Sequence, residues 1–326
     1  MKGAKQRKPV FPGNDLVDAR LRKGYDLRLL ASEYRREIMK ARAGKNAAAT
    51  AVVIRKFLPK VRKISDTIDP PVSPLLAFCP PWPPEFDKFP GLPPILPPHA
   101  MGLDILDLAR QPVTICDVHE EFSIENAAFR VFERNPDDRN AWAEERAGKA
   151  AIGRAAAGRA FSSSVATVAF GYVSEFSIPE SASEPSLSVV SAVNASFSWI
   201  EANPVEEGYA RATATSECQV ICFGENGTGR MFSAPSRVLV DFAAYDEILF
   251  EQFLNTSAGH TLNIAVPQEF SKHVYVYEMV ELVADAPGEH AYIEGAFTWS
   301  PTKITMKAGC RTFSFGTRRR YMREER

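Results

Sequence analysis

The chain is poor in the patterns that mark secreted, membrane-spanning and disulfide-stabilised proteins. Its five cysteines are an odd number scattered over 326 residues, so they predict no disulfide framework: Cys79, Cys116, Cys218, Cys222 and Cys310. The N-terminus is charged and lacks the apolar core of a secretory signal, and no apolar run is long enough for a transmembrane segment. We therefore expect intracellular synthesis, followed by incorporation into a particle.

Sequence patterns of several common enzyme classes are also absent. The chain contains no G-x-S-x-G nucleophile elbow, no Walker A motif and no Rossmann glycine fingerprint. The glycine-rich segment 224–229 lies between predicted strands with no helix after it, so it predicts a turn and not a phosphate site. Cys218 and Cys222 lie four residues apart in a predicted strand, about 13 Å, too far to share one zinc ion. We expect no enzyme activity, no cofactor and no metal.

The chain does have a marked charge asymmetry. Residues 1–63 contain 18 Lys and Arg against 5 Asp and Glu, whereas residues 64–302 contain 13 against 33 and residues 303–326 contain 8 against 2. Two basic ends therefore flank an acidic middle. Such blocks determine non-specific partners more than fold, and they suit nucleic acid, an anionic membrane surface or the acidic surface of another subunit. Basic ends folded back on their own body are the alternative.

Proline and aromatic residues are concentrated in one strip, residues 69–98. It holds 12 of the 24 prolines, which exclude a helix interior or a central strand and favour an extended backbone. Its apolar side chains gain free energy when they leave water, so we expect residues 69–102 to form an extended arm that docks on a folded surface. The predicted assembly contacts are Phe78, Trp82, Phe86, Phe89, Leu92 and Ile95.

Residues 1–68 are predicted to form a basic helical arm. Apolar residues at helical spacing predict one helix near 15–43, capped by Asn14 and with Gly24 as a candidate interruption, and another near 46–64 that Pro59 should kink or end. The basic faces of these helices either bind a partner or are simply solvated. The predicted contacts to nucleic acid or another anion, including the basic tail 316–326, are Lys2, Lys5, Arg7, Lys8, Arg35, Arg36, Arg55, Lys56, Lys60, Arg62, Lys63, Arg318, Arg319 and Arg320.

Residues 103–160 are predicted to be a mixed connector, with a short strand near 112–116 and an alanine-rich helix over 137–160. The densest group of potential metal ligands and acids in the sequence falls within it: Cys116, His119, Glu120, Glu121 and Glu125. A helical turn would bring Cys116 and His119 together, whereas a strand would separate them. A hydrolase or effector site here is therefore one alternative, and a polar surface turn is the other.

Residues 161–315 alternate apolar and polar side chains with a period of two and have frequent turn signals. Strands are predicted near 189–199, 209–223, 237–242, 261–266, 273–283 and 291–299, with an apolar loop or helix at 243–258. Strands without intervening helices indicate an antiparallel β-sandwich or jelly roll, so the fold class is mainly β. Its aromatic residues, including Trp199 on the Phe197 face, are predicted core. A sugar platform is the alternative for them.

A basic arm followed by a β-sandwich is the layout of subunits of virus-like, capsid-like shells, although no motif assigns a family. From this analogy of layout we expect a structural protein that self-associates into an oligomer through its extended arm, with basic ends on nucleic acid or acidic subunit surfaces. A carbohydrate- or surface-binding module and a hydrolase acting near residues 116–125 are the alternatives.

Overall fold

The computed structural model describes residues 13–43, 47–65, 113–115, 118–124, 126–135, 140–161, 163–179, 182, 185–204, 209–224, 227–244, 247–270, 273–286, 290–309 and 311–313. Two helices precede sixteen strands in these ranges: α1 (Asn14–Ala43), α2 (Ala47–Ser65), β1 (Val113–Ile115), β2 (Val118–Ile124), β3 (Ala128–Asn135), β4 (Ala141–Arg146), β5 (Ala150–Gly158), β6 (Val165–Ser177), β7 (Ser186–Asn203), β8 (Ala210–Phe223), β9 (Gly229–Ser233), β10 (Arg237–Ala244), β11 (Leu249–Glu251), β12 (Leu254–Ala265), β13 (His273–Asp285), β14 (His290–Trp299), β15 (Thr302–Ala308) and β16 (Arg311–Phe313). The proline-aromatic strip lies outside the described residues.

The strands form two large antiparallel sheets, as the sequence predicts. The first sheet has the order β10-β8-β13-β6-β3, with β9 also pairing with β8. The second has the order β2-β15-β7-β14-β5-β4, in which β15 and β14 pair with successive parts of one side of β7. β12 and β11 pair with the other side of β7. β1 and β16 form a separate pair. The chain is therefore mainly β, and no helix in the described ranges is long and apolar enough to cross a membrane.

The main core lies between the two sheets. Alternating residues point inward because successive side chains of a strand face opposite sides. Phe170, Phe197 and Phe297 are completely buried and contact one another edge to face, with centroid separations of 5.3 Å for Phe170–Phe297 and 5.6 Å for Phe197–Phe297. Such aromatic geometry adds to the burial of apolar area. Most of the aromatic residues predicted as core are indeed buried: Tyr172, Tyr209, Tyr275, Tyr277 and Trp299.

Helix α1 covers the outer face of the first sheet. Val17 packs with Ile221, Tyr277 and Met279 in a second buried cluster, so β13 is buried on both faces along almost its whole length. Arg20 pairs with Glu217, and Arg28 pairs through both of its terminal nitrogens with Glu281. The predicted helix is thus an integral layer of the body.

Burial alone would raise the pKa of the Glu217 carboxyl beneath α1. The Arg20 guanidinium and the hydrogen bonds from Gln219 and Ser236 instead hold that pKa below its usual range. The buried ion pair therefore fixes α1 to β8 with a charged carboxylate.

The helix predicted over 137–160 is wrong, because this segment forms the β4–β5 hairpin. Its alanines alternate in a strand, and those facing inward are small enough to lie against the large rings of the core. Gly148 and Lys149 both have positive φ angles, of 74° and 57°, and make the turn. A Cβ atom on Gly153 would lie 2.5 Å from the Phe170 ring. Strand pairing and packing thus override the helical preference of alanine.

Other predicted details also differ from the structure. α1 runs through Gly24 without interruption, and α2 continues through Pro59. The apolar segment 243–258 is largely strand, because β11 and β12 extend the edge of the second sheet. β2 to β5 lie in the same sheets as the later strands, so the predicted boundary at residue 160 does not separate them from the sandwich.

A buried ion pair joins the two sheets. Glu278 on β13 is 1% exposed at its side chain, and its Oε2 lies 2.7 Å from Lys149 Nζ. The Ser191 hydroxyl donates to Glu278 Oε1 at 2.5 Å, and the Thr302 hydroxyl donates to Oε2 at 2.7 Å. Each carboxylate oxygen is therefore satisfied in a water-poor site, and three elements of the second sheet are fixed to β13.

We expect Glu278→Gln to lower the free energy of unfolding by about 3–5 kcal/mol, because it leaves the Lys149 ammonium without its counter-charge. Glu144→Gln is the matched control, because Glu144 and Arg146 form a pair in which both side chains are more than half exposed. Its cost should stay below about 1 kcal/mol. Urea unfolding of both variants is the measurement, and equal costs would contradict the structural role of Glu278.

Candidate functional surfaces

The predicted basic contacts are only partly within the described side chains. Arg36, Arg55, Lys56, Lys60 and Lys63 are all exposed. The other predicted anion contacts and all predicted assembly contacts lie outside the residues, or the side chains, that the structure describes: Lys2, Lys5, Arg7, Lys8, Arg35, Arg62, Arg318, Arg319, Arg320, Phe78, Trp82, Phe86, Phe89, Leu92 and Ile95. Those contacts stay predictions.

Helix α2 presents an exposed basic surface. It docks on α1 through Phe57, which is 2% exposed and meets Tyr34 edge to face at 5.7 Å between centroids. Lys56 Nζ and Lys60 Nζ lie 5.1 and 5.6 Å from the centre of the Phe57 ring, within the range of cation–π contacts. Arg55, two residues before Phe57, points away from α1, because helical residues two apart do not share a face.

The described residues of the segment 116–125, which are 118–124, do not assemble a site. Cys116 and Glu125 lie outside the described residues, and Glu120 is exposed. His119 and Glu121 lie on the outer face of β2, with 3.2 Å between Nε2 and Oε1, and their side chains are 53% and 70% exposed. No group of three potential metal ligands occurs among the residues that the structure describes. The expectation that the chain is not an enzyme stays a prediction.

Cys218 and Cys222 are buried core residues of β8, as predicted. Burial raises the pKa of the Cys222 thiol to about 12, and it raises the pKa of the Cys218 thiol further. Thiols with such pKa values are protonated at neutral pH and are therefore poor nucleophiles and poor metal ligands.

The β12 strand forms an unusual sheet edge. Its twelve residues contain no Lys, Arg, Asp, Glu or Pro, and among the described residues no strand pairs with its side that faces away from β7. The other described edge strands of the two large sheets, β2, β3, β4, β9, β10 and β11, each contain at least one charged residue. Charge and proline normally protect such edges from pairing with another chain, so β12 is the least protected edge.

An apolar patch continues the β12 edge at its N-terminal end. Ile248, Leu249, Phe250 and Phe253 are 61%, 37%, 46% and 77% exposed. Phe253 has a φ of +59°, in the left-handed region that non-glycine residues seldom occupy. It lies at the break between β11 and β12, which pair with β7 on either side of Ser198 and Trp199. Four large apolar side chains are therefore exposed within six residues of chain, and such exposure marks interaction sites or aggregation hazards.

A buried histidine connects this edge to the first sheet. His260 on β12 is 4% exposed, and its Nε2 lies 2.8 Å from the Ser216 hydroxyl on β8, which is 1% exposed. Burial, together with the charge of Arg237, lowers the pKa of His260 below its ordinary value. The sequence separates the two residues by 44 positions, so neither could be recognised as a partner of the other. Their burial favours a structural contact over catalysis.

The outer face of the second sheet holds an aromatic depression of about 470 Å³. It is lined by Phe161, Ser198, Trp199, Glu201, His290, Tyr292 and Glu294. Glu201 accepts hydrogen bonds from Trp199 Nε1 at 3.1 Å and from His290 Nε2 at 2.8 Å when that nitrogen is protonated. The Tyr292 hydroxyl donates to Glu294 at 2.5 Å. Burial and this bond raise the pKa of Tyr292 to about 12.

Tyr292, also predicted as core, lines this outer depression instead, and Trp199 is a second residue that sequence periodicity placed wrongly. Strict alternation puts it on the Phe197 side, in the core. The pairing of β7 with β14 shifts between Glu294 and Gly295, where Glu294 pairs with Trp199 and Gly295 pairs with Phe197. This β-bulge adds one residue, so Ser198 and Trp199 both face solvent, and Trp199 is 38% exposed. Its ring contacts Phe250 at 4.7 Å between centroids.

A second depression, of about 430 Å³, adjoins the first along β7. Its lining has no charged side chain: Asn194, Ala195, Ser196, Asn255, Thr256, Ser257, Ala296 and Thr298. These positions come from three adjacent strands, because Ser196 pairs with both Asn255 and Ala296, and Asn194 pairs with both Ser257 and Thr298. Amide and hydroxyl groups therefore continue the aromatic depression across the sheet.

Comparison with known proteins assigns no family. No family model and no curated protein matches the chain. Among solved structures, the chain is similar to an endo-1,4-β-D-xylanase of Clostridium thermocellum, complexed with xylohexaose (12% identity, 59% of this chain and 28% of that chain, TM-score 0.22), and to TmCBM61 in complex with β-1,4-galactotriose (14%, 53% and 88%, TM-score 0.21). It is also similar to the infectious bursal disease virus VP2 subviral particle (9%, 59% and 38%, TM-score 0.21). Such TM-scores support no functional argument, and the chain spans only 28% of the xylanase's length.

We expect the folded protein to lose stability below about pH 6.5, the ordinary pKa of histidine. The unfolded chain takes up a proton at residue 260 there, whereas the folded chain resists it because the pKa of His260 is lowered. The stability that the lowered pKa of His260 contributes is thus complete above about pH 6.5. Below that pH it falls by up to about 1.4 kcal/mol per pH unit until the pKa of His260 in the folded protein is reached.

Urea unfolding of the parent protein and of His260→Gln, at about pH 7.5 and 5.5, measures this effect. The parent should lose more stability on acidification than the variant does. Identical losses would show that the titration of His260 does not contribute.

Proposed function

We propose that the chain is a structural subunit that self-associates, with the β11–β12 edge as a contact between copies. One observation carries the proposal: β12 is an uncharged edge twelve residues long, and it runs directly into the exposed patch Ile248, Leu249, Phe250 and Phe253. A second copy is the occupant that fits best. Two identical β12 edges related by a twofold axis would meet antiparallel and without like-charge repulsion.

The energetics also support edge pairing. A strand of twelve residues is about 40 Å long, and its outward amide and carbonyl groups can form a ladder that continues the second sheet. Main-chain hydrogen bonds give such strand addition its affinity. Burial of the apolar patch contributes about 25 cal/mol for each Å² of apolar surface removed from water. By contrast, the charged residues of β2 and β4 disfavour pairing at the opposite side of the same sheet.

The strip 69–98, which the sequence predicts to be extended, is the second proposed connector. It follows α2 in the chain, and α2 is attached to the body through α1. A strip rich in proline has few amide donors, so it suits docking by aromatic side chains more than strand addition. It therefore complements the β12 edge and does not compete with it. Removal of residues 1–98 would not test this connector alone, because it would also remove α1 and expose the first sheet.

We expect Thr261→Lys combined with Asn263→Lys to reduce the oligomeric mass, because both side chains are exposed on β12 and four added charges would meet at a twofold edge. Ser177→Lys combined with Thr228→Lys adds the same charge at exposed positions elsewhere. Size-exclusion chromatography with light scattering measures the mass. The proposal fails if the parent protein is a monomer at all concentrations, or if both double variants keep the parent mass.

The same chromatography tests the strip. Trp82→Ala should weaken association about tenfold or more, because a large aromatic anchor is removed, whereas Lys88→Ala should leave it nearly unchanged. Equal behaviour of these two variants would remove the strip from the contact.

The exposed basic surface of α2 is proposed to bind nucleic acid or the acidic surface of a neighbouring subunit. Lys56, Lys60 and Lys63, together with Arg55, lie within one short helix, so they can contact a phosphate backbone together. Both kinds of partner are anionic.

We expect the parent protein to bind a fluorescent single-stranded oligonucleotide, with an affinity that falls steeply as salt rises, because phosphate contacts release counterions. Replacement of Arg55, Lys56 and Lys63 by Glu should abolish the binding, and replacement of the exposed Lys303 and Lys307 by Glu is the control. Fluorescence anisotropy measures both. Salt-insensitive or absent binding, or equal loss in both variants, would contradict nucleic acid as the partner of the basic surface of α2 and leave a protein or membrane partner.

A further inference from the structure

We infer that the outer face of the second sheet binds a neutral oligosaccharide along β7, with Trp199 and Tyr292 at one end and the amide and hydroxyl groups around Asn194 at the other. This binding site goes beyond the proposed assembly function and does not depend on it. Its two halves are the aromatic depression and the uncharged depression described above.

The aromatic depression offers the contacts that a sugar ring needs. Trp199 is a large aromatic side chain that remains 38% exposed although its indole nitrogen is already bonded to Glu201. Its position is thereby fixed before a ligand arrives, which lowers the entropic cost of binding. The apolar CH face of a pyranose can lie on such a ring, while the hydroxyl groups of the sugar point to the rim.

Hydrogen-bond capacity remains in the same depression. An ionised carboxylate has about four acceptor positions, and the described bonds use two on Glu201, from Trp199 and His290. Glu294 accepts from the hydroxyls of Tyr292 and Ser198 and also retains capacity. A donor lies beside the depression, because the Arg154 guanidinium is 5.2 Å from the centre of the Tyr292 ring. Sugar hydroxyls both donate and accept, so a mixed set of this kind matches them.

The uncharged depression extends the site beyond one sugar ring. From Glu201 to Asn194 the path along β7 is about 23 Å, which is long enough for several rings. Along it the outer side chains change from aromatic and ionisable to amide and hydroxyl, namely Ser196, Asn194, Asn255, Ser257 and Thr298. A ligand that uses both halves must therefore be elongated, and an oligosaccharide, whose hydroxyl groups repeat along the chain, matches both sets of side chains.

The charges favour a neutral ligand over a cation or an anion. A cationic ligand would gain from Glu201 and Glu294, but the Arg154 guanidinium already occupies the Tyr292 ring and would repel it. An anionic oligosaccharide would be repelled by the same two carboxylates, those of Glu201 and Glu294. In the second half no charged side chain lines the depression, so nothing there compensates for a charged ligand.

Isothermal titration calorimetry of the full chain with cellohexaose, mannohexaose and hexagalacturonate tests the inference. We expect at least one of the two neutral hexasaccharides to bind and the anionic one to bind at least about tenfold more weakly. Trp199→Ala should lower the affinity for the neutral ligand about tenfold or more, and Asn194→Ala should lower it about threefold to tenfold.

Two matched variants serve as controls. Phe253→Ala removes an exposed aromatic side chain outside both depressions, and Asn263→Ala removes an exposed amide on the same outer face. Both should bind the sugar like the parent protein. Phe253→Ala should also weaken self-association, whereas Asn194→Ala, which lies outside the apolar patch, should not, so failure of one proposal can be distinguished from failure of the other. The inference is overturned if neither neutral hexasaccharide binds, if Trp199→Ala binds like Phe253→Ala, or if the anionic ligand binds best.

Discussion

The burial of β13 on both faces is the constraint on which the rest of the structure depends. One face of this strand contributes to the core between the sheets, and the other is covered by α1. A strand of this kind must be apolar on both sides, and the few charged residues in it need partners. Glu278 and Glu281 have them, in Lys149 from the second sheet and Arg28 from α1. The centre of the first sheet is therefore covered on both faces, and the outer face of the second sheet remains open to solvent.

This difference between the sheets explains where the candidate functional surfaces lie. The open face of the second sheet carries aromatic, amide and hydroxyl side chains, and its β12 edge lacks the charges found on the other edges of the large sheets. Face and edge are distinct surfaces, since a sheet uses its side chains on one and its main chain on the other. A subunit built in this way can pair through the edge while its face remains free for a ligand.

Much of the fold follows from the sequence, whereas the candidate sites follow from it only in part. Periodicity correctly predicts the strands around Phe197, Cys218 and Tyr277, because alternation is the direct result of burying one side of a strand. It fails at Trp199, where a β-bulge reverses the expected face, and over 137–160, where pairing with neighbouring strands outweighs alanine's helical preference. The contacts of His260 with Ser216 and of Lys149 with Glu278 join distant positions, so no local pattern could have indicated them. The β12 edge could be recognised only after the order of the strands was known.

Hydrogen–deuterium exchange at several protein concentrations tests the central claim most directly, because it reports on the β12 edge itself. If copies pair through this edge, amides of residues 254–265 should exchange more slowly as concentration rises, while those of the charged edges β2 and β4 should not change. Exchange in 254–265 that is independent of concentration, or slowing confined to β2 or β4, would contradict the account.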